Sequence, residues 1–144
     1  MWVVCHGYRQ LARRFIREFQ GIAGAERRIV APEGLSRFYL DEEGGPHGPE
    51  ARVGATWMTR EDRIAEIDDY VAYLDALAER ESEQTDVGVR VALVYGAADP
   101  FVRAEAVAAQ LETLRDLGTV ADAHSFAGGH VMDAAVLADL AVPH

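Results

Sequence analysis

The sequence predicts an α/β fold in three α/β/α layers, with a small, mostly parallel sheet of about four strands between the helices. The chain has 144 residues, the size of one ordinary domain, so residues 1–144 are expected to form a single domain. Short apolar segments alternate with amphipathic segments of helical period, in the order β-α-β-α-β-α-β-α. Because crossovers between parallel strands are right-handed, this alternation favours strand order 2-1-3-4 with helices on both faces.

The first half of the chain predicts two strands and one helix. Residues 2–5 are apolar, which indicates a short buried strand, and this strand is expected to break at Gly7. Apolar side chains recur at helical spacing through residues 11–19, and residues 28–31 form the second strand. Residues 41–54 are rich in glycine and proline, and we interpret them as a loop long enough to be functional.

A long helix follows this loop. Thr59-Arg60-Glu61-Asp62 has the pattern of a capping box. The helix that it opens carries one apolar stripe, which consists of Ile64, Ile67, Val71, Leu74, Leu77 and Ala78. Residues 81–86 are polar, and we interpret them as a linker.

The last third of the chain repeats the alternation. Residues 89–95 predict the third and best-buried strand, and residues 107–117 predict a helix with Gly118 as its C-terminal cap. Residues 120–126 predict the fourth strand. A last helix is expected over residues 131–140.

Composition excludes several classes of function. The chain has 24 acidic against 14 basic residues, a net charge of −10, so nucleic-acid and membrane-surface partners are not expected. All the basic residues are arginine, which excludes lysine chemistry such as Schiff-base formation. Cys5 is the only cysteine, so neither an internal disulfide nor a thiolate metal cage is possible. The first residues suggest no signal peptide and no membrane span, and we expect a cytoplasmic protein.

The predicted sheet brings three loops to one edge. Ligands of such sheets bind beyond the carboxyl ends of the strands, where the winding direction reverses. With order 2-1-3-4 this point lies between the first and third strands, at His6-Gly7-Tyr8 and at the segment that ends in Asp99. His130 follows the fourth strand at the same edge. Topology therefore predicts a donor loop, a carboxylate and an imidazole around one crevice.

Each of these features also has a simpler interpretation. His6-Gly7 can be an ordinary tight turn, Asp99 a helix N-cap, and His130 a surface histidine near a cap. Their combined order is more informative, because an acid after one strand and a glycine-flanked histidine after the next is how α/β-hydrolases present the last two triad members.

Five segments resemble the phospholipase/carboxylesterase family of serine α/β-hydrolases. They are residues 3–8, 32–39, 57–63, 93–100 and 128–130. The resemblance implies that the Tyr8 N–H serves an oxyanion hole, with His6 and Gly7 in the same loop. It also implies that Asp99 orients His130, which acts as general base and then as general acid. Trp57 and the loop around Ser36 would line the substrate pocket.

The chain departs from that family at the nucleophile. The family carries a G-x-S-x-G elbow, and this sequence contains none. Its serines are Ser36, Ser82 and Ser125, and none lies in such a turn. The sequence corresponds to the two ends of a hydrolase joined without the nucleophile strand, so the expected fold is a reduced α/β-hydrolase.

The identity of the nucleophile and the activity itself stay open on sequence alone. We expect slow hydrolysis of small or activated carboxylic esters, with water or Ser36 as nucleophile and no metal or cofactor. Cys5 is a thiol alternative, although a buried apolar role for it is the simpler interpretation. Two other possibilities are an inactive pseudo-hydrolase that binds a small ligand or a protein, and a flavodoxin-like binding domain.

The expected partners are a small-molecule ester and a second copy of the chain. A four-stranded parallel sheet leaves edges and helix faces that a full-length hydrolase would cover. Trp2, Phe15 and Leu114 are apolar residues that a homodimer or larger oligomer would shield.

Overall fold

The computed structural model describes residues 1–25, 27–40, 47–82 and 90–142. The chain divides into two compact units, Met1–Thr85 and Asp86–His144, and each is described by itself. Helices are combined with small parallel and antiparallel sheets, which confirms the α/β class. Of the helices in these ranges, none has both the length and the apolar character needed to cross a membrane.

The first unit opens with a parallel strand pair joined by a helix. Strand β1 (Trp2–Val3) lies beside β2 (Ile29–Val30), with Trp2 paired to Ile29. Between them, helix α1 (Ala12–Phe15) continues as a 3-10 helix over Ile16–Phe19. These elements confirm the predicted strand–helix–strand order.

The first strand is less buried than its apolar sequence suggests. Val3 and Cys5 are exposed, whereas Trp2 and Val4 are partly covered. Successive side chains of a strand point to opposite faces, and only one face of this strand is packed. The prediction of a buried β1, and of a buried Cys5, is therefore wrong.

An antiparallel hairpin follows that the sequence did not predict. Strand β3 (Ser36–Tyr39) pairs with β4 (Val53–Thr56). The predicted loop over residues 41–54 is therefore wrong at its end, where Val53 and Gly54 belong to β4. Residues 41–46 of that loop lie outside the described residues.

The hairpin holds the turn that follows β1. The Arg9 N–H donates to the Ala55 carbonyl at 3.0 Å, and the Ala55 N–H donates to the Gln10 carbonyl at 3.0 Å. A Cβ on Gly54 would lie 2.6 Å from the Arg9 carbonyl oxygen. Gly54 weakens the strand pattern in the sequence. Its lack of a side chain allows the turn at Arg9 and Gln10 to pack directly against β4.

Helix α2 (Arg63–Ser82) begins later and ends later than expected. The Thr59 hydroxyl accepts the Asp62 N–H at 3.5 Å, as the predicted cap requires, and the N–H and hydroxyl of Thr59 both donate to the Glu66 carboxylate, one turn further on. Glu81 was assigned to a linker but belongs to the helix, where it is buried and lies 2.7 Å from an Arg28 guanidinium nitrogen. This ion pair extends the helix into sequence that looks like a polar linker.

The apolar stripe of α2 is only partly buried. Leu77 is buried, and Ile67 and Leu74 are partly covered. Ile64 and Val71 are exposed. The rest of the described chain therefore covers only part of the apolar stripe of α2 and leaves Ile64 and Val71 exposed.

The second unit is built on a parallel strand pair. Strand β5 (Arg90–Gly96) pairs in parallel with β6 (Val120–Phe126), with Arg90 beside Val120. Helix α3 (Ala104–Asp116) connects them, and α4 (Ala134–Leu140) follows β6. The bounds of β6 match the prediction. Val94 is exposed, so the expectation that the third strand is the best buried is wrong.

Gly118 ends α3 as the sequence predicts. Its φ is +79°, a left-handed conformation that favours glycine. The Gly118 N–H donates to the Arg115 carbonyl, and the Thr119 N–H donates to the Leu114 carbonyl, both at 2.9 Å. These two bonds form a Schellman motif.

In the predicted order 2-1-3-4 the numbers count the four predicted strands, which correspond in chain order to β1, β2, β5 and β6 of the structure. The observed parallel pairs β1–β2 and β5–β6 are the pairs 2-1 and 3-4 of that order. Contact between β1 and β5, which would complete that order, joins two units that are described separately. It stays a prediction, as does the single domain.

We expect Gly54→Ala to lower the free energy of unfolding of the first unit by about 1–3 kcal/mol, because the added methyl overlaps backbone atoms. Gly21→Ala is the matched control, because a Cβ there meets no atom within 4 Å, and its effect should stay within about 0.5 kcal/mol. Both tryptophans, Trp2 and Trp57, lie in the first unit, so urea titration followed by tryptophan fluorescence reports this unit. Equal midpoints for the two variants would contradict the role assigned to Gly54.

Candidate active site

The structure brings Asp99 and His130 together. The Nδ1 atom of His130 lies 2.8 Å from Oδ2 of Asp99. Asp99 follows β5 and His130 follows β6, so the two residues stand 31 positions apart at the carboxyl ends of adjacent parallel strands. The sequence-based expectation that these two residues meet is confirmed.

Glycine makes this meeting possible. A Cβ on Gly96 would lie 2.3 Å from the Gly129 carbonyl oxygen and 2.4 Å from that of Gly128. The loop after β6 therefore crosses directly over the end of β5. The Ala98 N–H donates to the Gly128 carbonyl at 2.8 Å, which fixes the loops that carry Asp99 and His130 against each other.

The Asp99 carboxylate is held at both oxygens. Its Oδ1 accepts the Phe101 N–H at 2.8 Å while Oδ2 faces His130. Its side chain is only 5% exposed. Desolvation raises the pKa of Asp99, but the hydrogen bonds from Phe101 and His130 and the imidazole charge together lower the pKa below its ordinary value. Asp99 is therefore a carboxylate throughout the neutral pH range.

The N-cap interpretation of Asp99 does not hold, whereas His130 is a surface histidine, as its simpler interpretation expects. Helix α3 begins at Ala104, so Asp99 is not its N-cap and instead closes an Asx-turn onto Phe101. The N-cap of α4 is Asp133, whose Oδ1 accepts the Ala135 and Val136 N–H groups. His130 is thus not part of that cap.

The imidazole of His130 faces outward from this support. Its side chain is 66% exposed. The bond to Asp99 occupies Nδ1 as donor, which leaves Nε2 as the acceptor nitrogen. Within the described residues no group bonds to Nε2, so this nitrogen is available to a substrate or to water.

Phe101 is a neighbour of the pair that sequence reasoning missed. Its ring packs edge-on against the His130 imidazole, with centroids 5.3 Å apart and planes at 78°. The side chain of an aspartate in a turn can accept the N–H two residues further on in an Asx-turn, and this rule would have placed Phe101 beside Asp99.

The His6-Gly7-Tyr8 loop forms a hydrogen-bonded turn in the first unit. The Gln10 N–H donates to the Gly7 carbonyl, and the Gly7 N–H donates to Oε1 of Gln10. Arg9 has a φ of +68°, an uncommon left-handed conformation for a residue with a side chain. Among the described residues the Tyr8 N–H has no acceptor, which is the property that an oxyanion donor needs.

The buried side chain of His6 supports this turn through a contact with its backbone. Its side chain is buried, with Nδ1 2.9 Å from the Gly7 carbonyl oxygen. Nε2 accepts the Gly34 N–H at 2.8 Å and lies 3.1 Å from Oε1 of Glu33. His6 is therefore a structural residue of the loop and does not itself face solvent.

Trp57, predicted to line a pocket, also supports the loop. Its Nε1–H donates to the His6 carbonyl at 2.8 Å. Its ring contacts the rings of His6 and Tyr70. The pocket-lining role of Trp57 stays a prediction.

Ser36 is engaged with a carboxylate. Its hydroxyl donates to Oε1 of Glu66 at 2.7 Å, which ties β3 to α2. Both the N–H and the hydroxyl of Thr59 donate to Oε2 of the same carboxylate. The hydrogen bonds from Thr59, and then that from Ser36, lower the pKa of Glu66 against an opposing desolvation.

The remaining nucleophile candidates differ in their surroundings. Ser125 is exposed on β6. The side chain of Ser82 lies outside the described residues. Cys5 is exposed, and desolvation nevertheless raises the pKa of its thiol, which disfavours the thiolate that would act as nucleophile.

The predicted site residues lie in both units. His6, Gly7, Tyr8, Ser36 and Trp57 belong to the first, whereas Asp99 and His130 belong to the second. In the part of the chain that the structure describes, no group of three or more His, Cys, Asp or Glu side chains is arranged to hold a metal ion.

Comparison with known proteins identified no match to a protein-family model, a curated protein or a solved structure.

We expect Glu66→Gln to flatten the dependence of stability on pH in the acid range. A carboxylate with a lowered pKa stabilises the fold above about pH 4.3, the ordinary value for glutamate, and this contribution is lost as pH falls through the lowered pKa. Urea midpoints from tryptophan fluorescence between pH 6 and pH 3 measure the effect. Glu61→Gln, an exposed residue next to the helix, is the control and should keep the wild-type slope. A wild-type slope in Glu66→Gln would show that these hydrogen bonds do not stabilise the carboxylate.

Proposed function

We propose that the protein is a carboxylic-ester hydrolase in which Asp99 and His130 perform general-base catalysis. The observation that carries the proposal is the 2.8 Å contact between a buried carboxylate and an exposed imidazole. A carboxylate bound to Nδ1 fixes the tautomer and stabilises the imidazolium that forms during the reaction. The free Nε2 can then accept a proton from water or a hydroxyl group.

The reaction follows from this arrangement with water as nucleophile. Nε2 of His130 removes a proton from water as the water oxygen bonds to the ester carbonyl carbon. The tetrahedral intermediate collapses by breaking the bond to the leaving oxygen. The imidazolium returns its proton to that oxygen, so one ester and one water give one acid and one alcohol. Asp99 remains ionised throughout.

Water is the nucleophile that the site supports best. The exposed imidazole admits solvent to Nε2, whereas the Ser36 hydroxyl already donates to Glu66. Ser36 is the second candidate nucleophile, and the Ser36→Ala variant distinguishes it from water. The lowered pKa of Asp99 favours this chemistry, because the pair keeps its carboxylate wherever the imidazole is neutral.

The oxyanion donor is assigned through the family resemblance. The Tyr8 N–H, which lacks an acceptor among the described residues, fits that assignment. It stays a sequence-based proposal because Tyr8 and His130 belong to separately described units. The reduced, three-layer α/β-hydrolase fold is proposed on the same basis, with the parallel pairs β1–β2 and β5–β6 in its support.

We expect His130→Ala to lower kcat/KM for p-nitrophenyl butyrate by about 100-fold or more, because general-base assistance is lost. Asp99→Asn should cause a smaller loss, because the imidazole remains without its orienting carboxylate. Initial rates of nitrophenol release at neutral pH measure both losses.

Matched variants complete this experiment. Asp139→Asn and Ser125→Ala change exposed residues of the same unit and should keep the wild-type rate. A large loss in Ser36→Ala would identify a serine nucleophile, whereas an unchanged rate favours water. Wild-type protein that hydrolyses no ester above the buffer rate would refute the enzyme proposal and favour the binding-module alternative.

We also propose that the chain self-associates. No large side chain is completely buried among the described residues, and Val94 and Val120 of the β5–β6 pair are exposed. Exposed apolar side chains on a sheet favour association, and burial of these two against a second copy would stabilise it.

Light scattering should therefore give a mass of at least twice 15.8 kDa at high protein concentration. Val120→Glu, which places a charge on the exposed strand, should lower that mass. A 15.8 kDa particle at every concentration would refute self-association.

A further inference from the structure

The Phe101 ring occupies an unusual position for a large apolar side chain. It is 79% exposed, although burying such a ring away from water is favourable. It also touches the His130 imidazole edge-on. The exposed Phe101 ring therefore lies next to the His130 imidazole, which is the proposed general base.

The position of Phe101 is fixed by the same carboxylate that fixes His130. Oδ1 of Asp99 accepts the Phe101 N–H, and Oδ2 binds His130. This carboxylate therefore positions both the backbone of Phe101 and the imidazole of His130. The ring contact then places the Phe101 side chain beside the imidazole.

Two further exposed apolar residues, Val131 and Met132, follow His130 directly in sequence. The chain as a whole is strongly acidic, with a net charge of −10, which disfavours an anionic ligand near this surface. Exposed apolar residues around a reactive group are typical of a ligand site.

We propose that Phe101 is a specificity-determining residue that binds the apolar alkyl or aryl group of an uncharged ester beside Nε2 of His130. The proposal rests on the proposed esterase function and adds the residue that selects the substrate. The ring face accepts the apolar group by stacking or by alkyl contact, while the carbonyl carbon lies within reach of a water bound to Nε2. Val131 and Met132 extend this contact for longer chains.

The test separates binding from turnover. N-(4-nitrophenyl)butanamide has the shape of p-nitrophenyl butyrate but resists hydrolysis, and its binding is followed through the NMR signals of the His130 imidazole. Phe101→Ala keeps the backbone N–H that Asp99 accepts, so the Asp99–His130 pair is preserved. Leu117→Ala removes an equally exposed apolar side chain, 76% exposed, at the far end of α3 and serves as the control.

We expect Phe101→Ala to raise the Kd for the amide and the KM for p-nitrophenyl butyrate by about 10-fold, the low end of the range for one apolar contact. Its kcat should change little, because the Asp99–His130 pair is retained. Phe101→Leu should restore most of the affinity, and Leu117→Ala should match the wild type.

Each other outcome is decisive. An unchanged Kd in Phe101→Ala, or no amide binding by the wild type up to its solubility, would overturn the proposal. Amide binding that depends on Phe101 in a protein without esterase activity would support the binding surface and refute only the proposed function.

Discussion

The close contact of two glycine peptides with Gly96 is the constraint on which the candidate site depends. A parallel strand pair brings two loops to one edge, but strands about 4.8 Å apart do not by themselves bring side chains into hydrogen-bond contact. The missing Cβ of Gly96 lets the peptide oxygens of Gly128 and Gly129 pass over the strand end. His130, the next residue, then reaches Asp99 at 2.8 Å. Any side chain at position 96 would separate the two loops and with them the acid and the base.

Carboxylates perform a similar joining role elsewhere in the chain. Glu33 accepts the Ala12 N–H at the start of α1 and lies 3.1 Å from His6, and Glu66 binds Ser36 as well as Thr59. Asp99 differs in what it joins, because one of its partners is an exposed imidazole. A carboxylate whose partners are backbone, hydroxyl or buried imidazole groups is structural, whereas one that orients a solvent-facing base can act on chemistry. This difference separates the candidate site from the other carboxylate ties.

The sequence predicted the elements whose causes are local. Gly118 requires a left-handed conformation at the end of α3, and the φ of +79° confirms it. The placement of Asp99 and His130 at one sheet edge was predictable from strand order, and their direct contact was expected from the family resemblance; the role of Gly96 in that contact was not predicted. The hairpin was missed because the small residues Gly54 and Ala55 give a weak strand pattern. They are small because the turn at Arg9, which is distant in sequence, packs against them. The end of α2 was missed for a similar reason, since Glu81 is helical and buried through its ion pair with Arg28.

The same geometry limits how fast the proposed reaction can be. General-base assistance contributes typically about 10²- to 10⁴-fold, and Asp99 and His130 provide the groups for it. A serine elbow adds positioning, which in well-oriented systems contributes effective molarities of about 10⁵ M or more. This chain has no such elbow, and its exposed imidazole acts on water that is free to move. The contact proposed at Phe101 would hold an apolar ester beside the imidazole and so lower its KM, but it would not replace the positioned nucleophile that raises kcat. Under this proposal Phe101 determines which esters bind, whereas Asp99 and His130 determine the rate of the chemical step.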